Sequence, residues 1–251
     1  MSLNWEDTSP LMAERLERAL GYPYAIPDQS YIVHNNAVTP MLIEKAEVLR
    51  EHRIPVLAVG SNQSPDQIIR KFHGPDWAPI PCERCVIKDF DTVYSAHISG
   101  YGSIAAALHP SPGTTVSLYV NWLHESHMDR MHSTELGNEN YVFARLDDVN
   151  IQTEHGMTLN SVHFYNGNAG VVTVDGAPVP LLEVFAENRQ WNAMDQRAIQ
   201  AHIHEMTAAD LSLEEFILSS ISDPDERNRR ADIMRKNSVT FSHEPMVILQ
   251  R

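Results

Sequence analysis

The run from Thr115 to Leu123 constrains this chain more than any other stretch. Val116, Leu118, Val120 and Trp122 alternate with Thr115, Ser117, Tyr119 and Asn121. Successive side chains of a strand point to opposite faces, so the run predicts a strand with one apolar face, which needs a sheet around it. Candidate partners lie on both sides. Ile54 to Val59 is a short apolar run that ends in Gly60-Ser61-Asn62. Ser64-Pro65-Asp66-Gln67 then reads as a capping box that opens a helix through Phe72. Further strands are expected at Val86–Tyr94, Ile104–His109, Tyr141–Leu146 and Leu159–Tyr165, with Ser111-Pro112-Gly113 and Asn166-Gly167 as turns. A short helix after Leu123 has Ser126 as its cap and Gly137 just past its end.

The two ends read as helical. Ser9-Pro10 starts a helix carrying Leu11, Met12, Leu16, Ala19 and Leu20, which Gly21 stops. Thr39-Pro40 repeats the start signal ahead of Met41, Leu42, Ala46 and Leu49, with a connector from Tyr22 to Asn36 between. Beyond Val184, Ser212 with Glu215 and Asp223 with Glu226 mark two helix starts, and Val239–Phe241 and Met246–Leu249 suggest a strand pair. The expected class is α+β: a small mixed β-barrel or sheet core at 54–185, an N-terminal helical extension at 1–53 and a C-terminal one at 186–251.

Charge narrows the partners. Thirty-three acidic and 19 basic side chains give a net charge of −14, which repels nucleic-acid backbones and anionic membrane surfaces. No segment approaches the ~20 apolar residues of a membrane-spanning helix. The opening MSLNWEDTSP is too polar for a signal peptide, and only Cys82 and Cys85 could form a disulfide, so a cytoplasmic protein is expected. Cys82-x-x-Cys85 is at most half of a zinc site, and His124, His127 and His132 lack a ligand spacing. His202, His204 and Glu205 read as a solvated helix face, as do Arg227, Arg229 and Arg230.

The chemistry rests on two stretches. A loop such as Gly60-Ser61-Asn62, between a strand and a helix, leaves main-chain N–H groups free to bind a carboxylate or a developing oxyanion. The second stretch runs through Gly102-Ser103-Ile104-Ala105, Ser111-Pro112-Gly113, the Thr115–Leu123 strand and Met131-His132-Ser133-Thr134-Glu135, with Tyr141 following. In this order and spacing the chain resembles the gamma-glutamyl cyclotransferase family over roughly residues 54 to 150. Three positions depart from the family pattern. Val59 stands where members have tyrosine, Leu136 where they often have glycine, and Leu118 at a strand glycine.

The resemblance implies that Gly60, Ser61 and Asn62 hold a γ-glutamyl group, that Tyr141 contacts it, and that Glu135 is the catalytic carboxylate. The implied reaction is intramolecular: the α-amine attacks the γ-amide carbonyl, giving 5-oxoproline and a free amine. One acid–base carboxylate suffices, with no metal, cofactor or covalent enzyme intermediate. Glu135 falls in the last turn of its helix, where the macrodipole should raise its pKa towards that of a base working near neutrality. Two other readings compete. One is a binding module that keeps the pocket without turnover; the other is a structural protein that self-associates through its helical ends.

Overall fold

The computed structural model describes residues 10–74, 76–136 and 140–250. The first helix, α1 (Pro10–Leu20), buries Leu16 and Ala19. Strands β1 (Tyr31–His34) and β2 (Ala37–Pro40) follow, then a short 3-10 turn and α2 (Ala46–Arg50). Next come β3 (Ile54–Ala58), α3 (Pro65–Lys71), and two very long strands, β4 (Ile80–Ile98) and β5 (Ile104–Leu123). They lead to α4 (Glu125–Glu135), β6 (Tyr141–Thr153) and β7 (Thr158–Gly167). Two-residue strands β8 (Thr173–Val174), β9 (Ala177–Pro178) and β10 (Ala186–Glu187) precede α5 (Gln196–Ala208), α6 (Leu213–Ser222) and α7 (Pro224–Lys236). The last element, β11 (Met246–Gln250), pairs with β6.

Five strands close a barrel. β5 pairs with β3, β3 runs parallel to β7, β7 pairs with β6, β6 with β4, and β4 returns to β5. Closure leaves none of the five without neighbours on both sides. The alternation along β3 divides its side chains between two cores. Leu57 and Val59 join Leu118, Val120, Trp122, Ala144 and Phe164. Val56 and Ala58 join Ile68, Phe72, Met128, Met131 and Phe143, which is where α3 and α4 pack. Both faces of the Thr115–Leu123 run are therefore covered. Tyr119 and Asn121 are buried, and their donors reach main-chain partners: the Tyr119 hydroxyl donates to Pro27 O (2.7 Å) and the Asn121 Nδ2 to Asn62 O (3.1 Å).

Several local expectations are corrected. Thr39-Pro40 ends β2 and does not begin a helix, as suits a proline on an exposed edge strand whose N–H is not needed. The segment before residue 53 thus adds two strands to the sheet. Ser111-Pro112-Gly113 is no turn but a bulge inside β5. Lys88 faces Thr115 and Phe90 faces Pro110, so residues 111–114 oppose Asp89 alone. Gly113 takes a φ of +86° there and donates its N–H to Asp89 Oδ1 at 2.8 Å. Asn166-Gly167 lies within β7, paired with Tyr141 and Val142.

The cap of α4 is His124, not Ser126: its ring accepts from Ser126 N–H, while the His127 ring accepts from His124 N–H. Ser64 precedes α3 but makes no capping hydrogen bond. Met246–Leu249 pairs with β6, while Val239 bridges to Val171. Ser9 and Gly137 lie outside the described residues. The Ser212–Glu215 capping box forms as expected, and Asp223 caps α7 through the N–H groups of Asp225 and Glu226.

Arg230 is buried rather than on a solvated face. Its guanidinium donates to Phe216 O, Ser219 Oγ and Ser220 Oγ and pairs with Glu226, tying α7 to α6. Cys82 and Cys85 are free, buried thiols of β4, and burial pushes Cys82 up to about 12. Among the described residues no helix is long and apolar enough to cross a membrane.

Candidate functional site

The turn after β3 and the end of α4 meet across one cavity of about 310 Å³. Gly60, Ser61, Asn62, Glu135 and Tyr141 all line it, so the residues singled out by sequence come together. The loop is a single 3-10 turn, Ser61–Gln63. Its own hydrogen bonds run from Gln63 N–H to Gly60 O (3.1 Å) and from Ser64 N–H to Ser61 O (2.9 Å). The N–H groups of residues 60–62 precede that ladder and stay outside it, as at any helical N-terminus. Gly60 is required by close approach rather than by its torsions. A Cβ there would lie 2.1 Å from the Tyr22 hydroxyl oxygen and 3.0 Å from Ala106 Cβ.

Glu135 is the last residue of α4, and its carboxylate turns back onto the loop and α3. Oε1 accepts from Asn62 Nδ2 at 3.0 Å and from the Lys71 ammonium. Both partners use Oε1, and Oε2 has no partner among the described residues. The Glu135 and Lys71 side chains are 15% and 7% exposed. Lys71 ends α3, and its carbonyl accepts from Arg130 Nε at 2.8 Å, which ties α3 to α4 behind the ion pair.

The helix-end argument for a raised Glu135 pKa is overturned. Burial pushes the carboxyl up, but the Lys71 ammonium and the Asn62 amide beside it outweigh burial and hold it below the usual carboxylate range. A full positive charge in contact exceeds the partial charge of a helix terminus.

The rest of the lining went unread in the sequence. Arg70, Lys71 and Arg130 give three cations against the single carboxylate of Glu135, in a chain whose net charge is −14. Arg70 and Arg130 form no ion pair with the described residues. His97 also faces the cavity; burial, with Arg235 and Arg227 nearby, lowers it to about 4, so it is neutral at neutral pH. Tyr22, Tyr101, Tyr141 and Tyr165 supply an aromatic wall, with the Tyr165 hydroxyl held at 3.0 Å from His132 Nδ1. Lys71 did leave a trace in the sequence. It falls on the same face of its helix as Gln67 and Ile68, both buried, and a lysine in an apolar stripe asks for an acidic partner.

Buried acceptors concentrate around the loop. Asn62 Oδ1, Gln63 Oε1, Ser64 Oγ, Gln67 Oε1 and Asn121 Oδ1 have no hydrogen-bond partner among the described residues. Buried polar atoms in native proteins are nearly always satisfied, and of these residues Asn62 and Gln67 line the cavity, where a polar ligand or ordered solvent can supply the donor. No group of three or more His, Cys, Asp or Glu among the described residues could hold a metal ion.

No family model matches the chain, and no curated protein matches it. Among solved structures, the fold is similar to that of a gamma-glutamyl cyclotransferase at 19% identity and a TM-score of 0.36. That likeness spans 46% of this chain and 66% of the other, just under two thirds of its length. The fold is also similar to that of an uncharacterized protein from Homo sapiens at 18% identity, a TM-score of 0.37, and 47% and 68% coverage. A third similar structure is YkqA from Bacillus subtilis, at 11% identity and a TM-score of 0.33, spanning 86% of this chain and 76% of that one.

Proposed function

We propose that this chain is a gamma-glutamyl cyclotransferase-like enzyme that converts a γ-glutamyl amide into 5-oxoproline and a free amine. The observation that carries the reading is the meeting of Glu135 with the 60–62 loop in one cavity, joined by the Asn62–Glu135 hydrogen bond.

The substrate's α-amine is mostly protonated at neutral pH, with a reference pKa near 8, and in that form cannot attack. Oε2 of Glu135, left open by Lys71 and Asn62, accepts its proton. The freed nitrogen attacks the γ-carbonyl carbon, and the new C–N bond closes a five-membered ring. Negative charge gathers on the former carbonyl oxygen, where the main-chain amides of residues 60–62 oppose it. Collapse breaks the original amide bond: the leaving nitrogen takes the first proton back from Glu135, the ring nitrogen gives its second proton to the freed carboxylate, and that proton departs on the released amine as its ammonium form. No water is consumed, and every atom of the substrate is recovered in the two products.

The excess of cations around the cavity supports an anionic substrate. A γ-glutamyl amino acid or peptide carries two carboxylates and a γ-glutamyl amine only one, so Arg70 and Arg130 favour the former. Lys71 favours a second reading, a binding module without turnover. By holding Glu135 low, it keeps the carboxylate charged but makes it a weaker base.

The test is to incubate the protein with a panel of γ-glutamyl dipeptides and amines and to detect 5-oxoproline by mass spectrometry. Turnover by the wild type, with a loss on the order of 10²–10⁴-fold in Glu135→Gln, is expected. Wild-type turnover in Glu135→Gln removes Glu135 from the mechanism. Silence across the panel, with measurable 5-oxoproline binding, establishes the second reading instead.

A further inference from the structure

We propose that Tyr22, which comes from the segment after α1 and not from the loop, is a substrate-contacting residue whose phenol O–H donates to the oxygen that gains charge in the reaction. The proposal rests on the cyclisation reading above and assigns that site a donor supplied by the N-terminal segment.

Position 59 brings no hydroxyl to the cavity, because Val59 is aliphatic. Tyr22 brings one from another part of the chain. Its oxygen lies so close to Gly60 that a Cβ there would sit 2.1 Å away. The phenol therefore presses against the first residue of the loop whose amides face the same oxygen of the substrate. The ring is 4% exposed, and its neighbours across the cavity include Tyr101, Tyr141 and Glu135.

One side of the hydroxyl is already occupied. Ala106 N–H donates to it at 2.9 Å. That bond fills a lone pair and leaves the hydroxyl hydrogen with no acceptor among the described residues. A buried tyrosine hydroxyl normally finds an acceptor for its hydrogen, and the cavity is the space into which Tyr22 faces. Burial raises its pKa well above the ordinary tyrosine value, so the group stays protonated and available as a donor at any working pH.

The mounting is rigid, as a preorganised donor requires. Ala19 O, three residues earlier, accepts from Ser103 Oγ (2.9 Å) and Gln200 Nε2 (3.4 Å). Gly21 N–H closes the helix on Glu17 O at 2.8 Å. The end of α1 that leads into Tyr22 is thus tied to the β4–β5 connection on one side and to α5 on the other, and Tyr22 itself to β5 through Ala106 N–H.

Tyr22→Phe keeps the ring and removes the donor. We compare it with the wild type and Glu135→Gln for 5-oxoproline formation, for L-5-oxoproline affinity by calorimetry, and for thermal midpoint. The expected result is a kcat lowered by roughly 10²-fold, the scale of losing one oxyanion donor, with KM changed by less than about threefold. Unchanged kcat in Tyr22→Phe, beside an active wild type and an inactive Glu135→Gln, overturns this proposal and leaves the cyclisation reading intact.

A wild type that binds 5-oxoproline without turnover moves the test to affinity: a tenfold or larger loss in Tyr22→Phe supports the contact, and an equal affinity overturns it. A wild type that neither turns over nor binds sinks both readings. Because Tyr22→Phe also deprives Ala106 N–H of its acceptor, 3-fluorotyrosine at position 22 is the second variant. Its more acidic phenol keeps both hydrogen bonds, so a changed kcat or affinity at an unchanged midpoint supports the contact, and no change in either overturns it.

Discussion

Replacing Lys71 by Met removes a buried cation while keeping most of its aliphatic stem, and isolates what that cation does to Glu135. The two side chains are 7% and 15% exposed, so solvent screens their attraction little. Unit charges about 4 Å apart attract by about 4 kcal/mol at an effective dielectric of about 20. That energy is a factor of roughly 10³ in the protonation equilibrium of the carboxyl. With Lys71 gone, burial still pushes Glu135 up, and the Asn62 amide is the one remaining opposing partner.

The sign of the stability effect then reverses. In the native protein the folded carboxyl is held low, so its contribution is fully present above the unfolded carboxyl's range and is lost as pH falls through the folded value. In the variant the folded carboxyl titrates higher than the unfolded one, so its contribution is present in acid and is lost as pH rises. At pH 8 an unpaired buried carboxylate costs about 3–5 kcal/mol, or roughly 6–20 °C in a domain of this size. At pH 5 protonation relieves most of that cost.

Thermal scans of both proteins at pH 5 and pH 8, with a carbon-13 titration of the glutamate carboxyls, provide the measurement. The gap between wild type and variant should widen towards pH 8, with one carboxyl resonance moved to a higher titration midpoint. Parallel midpoints at both pH values and an unmoved resonance would refute the claim that Lys71 sets the charge state of Glu135.

Two further outcomes are expected. Gly60→Ala should cost about 1–3 kcal/mol by overpacking against the Tyr22 hydroxyl and should lower 5-oxoproline affinity, whereas Gly100→Ala, on the same cavity with nothing within 4 Å of its Cβ position, should stay within about 0.5 kcal/mol in urea titrations. Arg230→Met removes the guanidinium's bonds to Phe216 O, Ser219 Oγ and Ser220 Oγ, which keep the hydroxyl–carbonyl bonds within α6, and should lower stability by about 1–3 kcal/mol, read as a lower urea midpoint at constant slope; a loss under about 0.5 kcal/mol would mean that α6 and α7 do not depend on this contact.

What the sequence disclosed, and what it hid, follow from the range of the forces concerned. The Thr115–Leu123 strand, the Ser212–Glu215 cap and the end of α1 at Gly21 are set by neighbours within a few residues, and they stand where the spacing places them. The α+β class and the barrel core were legible for the same reason. The bulge at 111–114 was not, because a Ser-Pro-Gly run serves a turn or a bulge equally well until the opposing strand is known.

In the site, the loop, Glu135 and Tyr141 were read from an ordered pattern and share a cavity. The charge state of Glu135 was misjudged because its partner sits on another helix, 64 residues away in sequence. Arg70 and Arg130 look like ordinary helix-surface cations until the two helices are set side by side. Arg230 escaped notice for the same reason: a basic run says nothing of which member turns inward.

Barrel closure also fixes when the site can exist during synthesis. The parallel pairing within the barrel joins Val56 to His163 and Leu57 to Phe164, so β3 waits for a strand made 107 residues later (163 − 56). At ribosomal rates of about 5–20 residues per second, that delay is roughly 5–20 s. Through that interval the glycine loop hangs from a strand that still lacks one neighbour, and Glu135 has emerged before β7 can hold the wall beside it. A nascent chain stalled before residue 158 would carry the loop and Glu135 but not the closed barrel that sets them face to face. Binding competence should therefore switch on late and all at once, which makes a ligand of this cavity a reporter of completed folding on the ribosome.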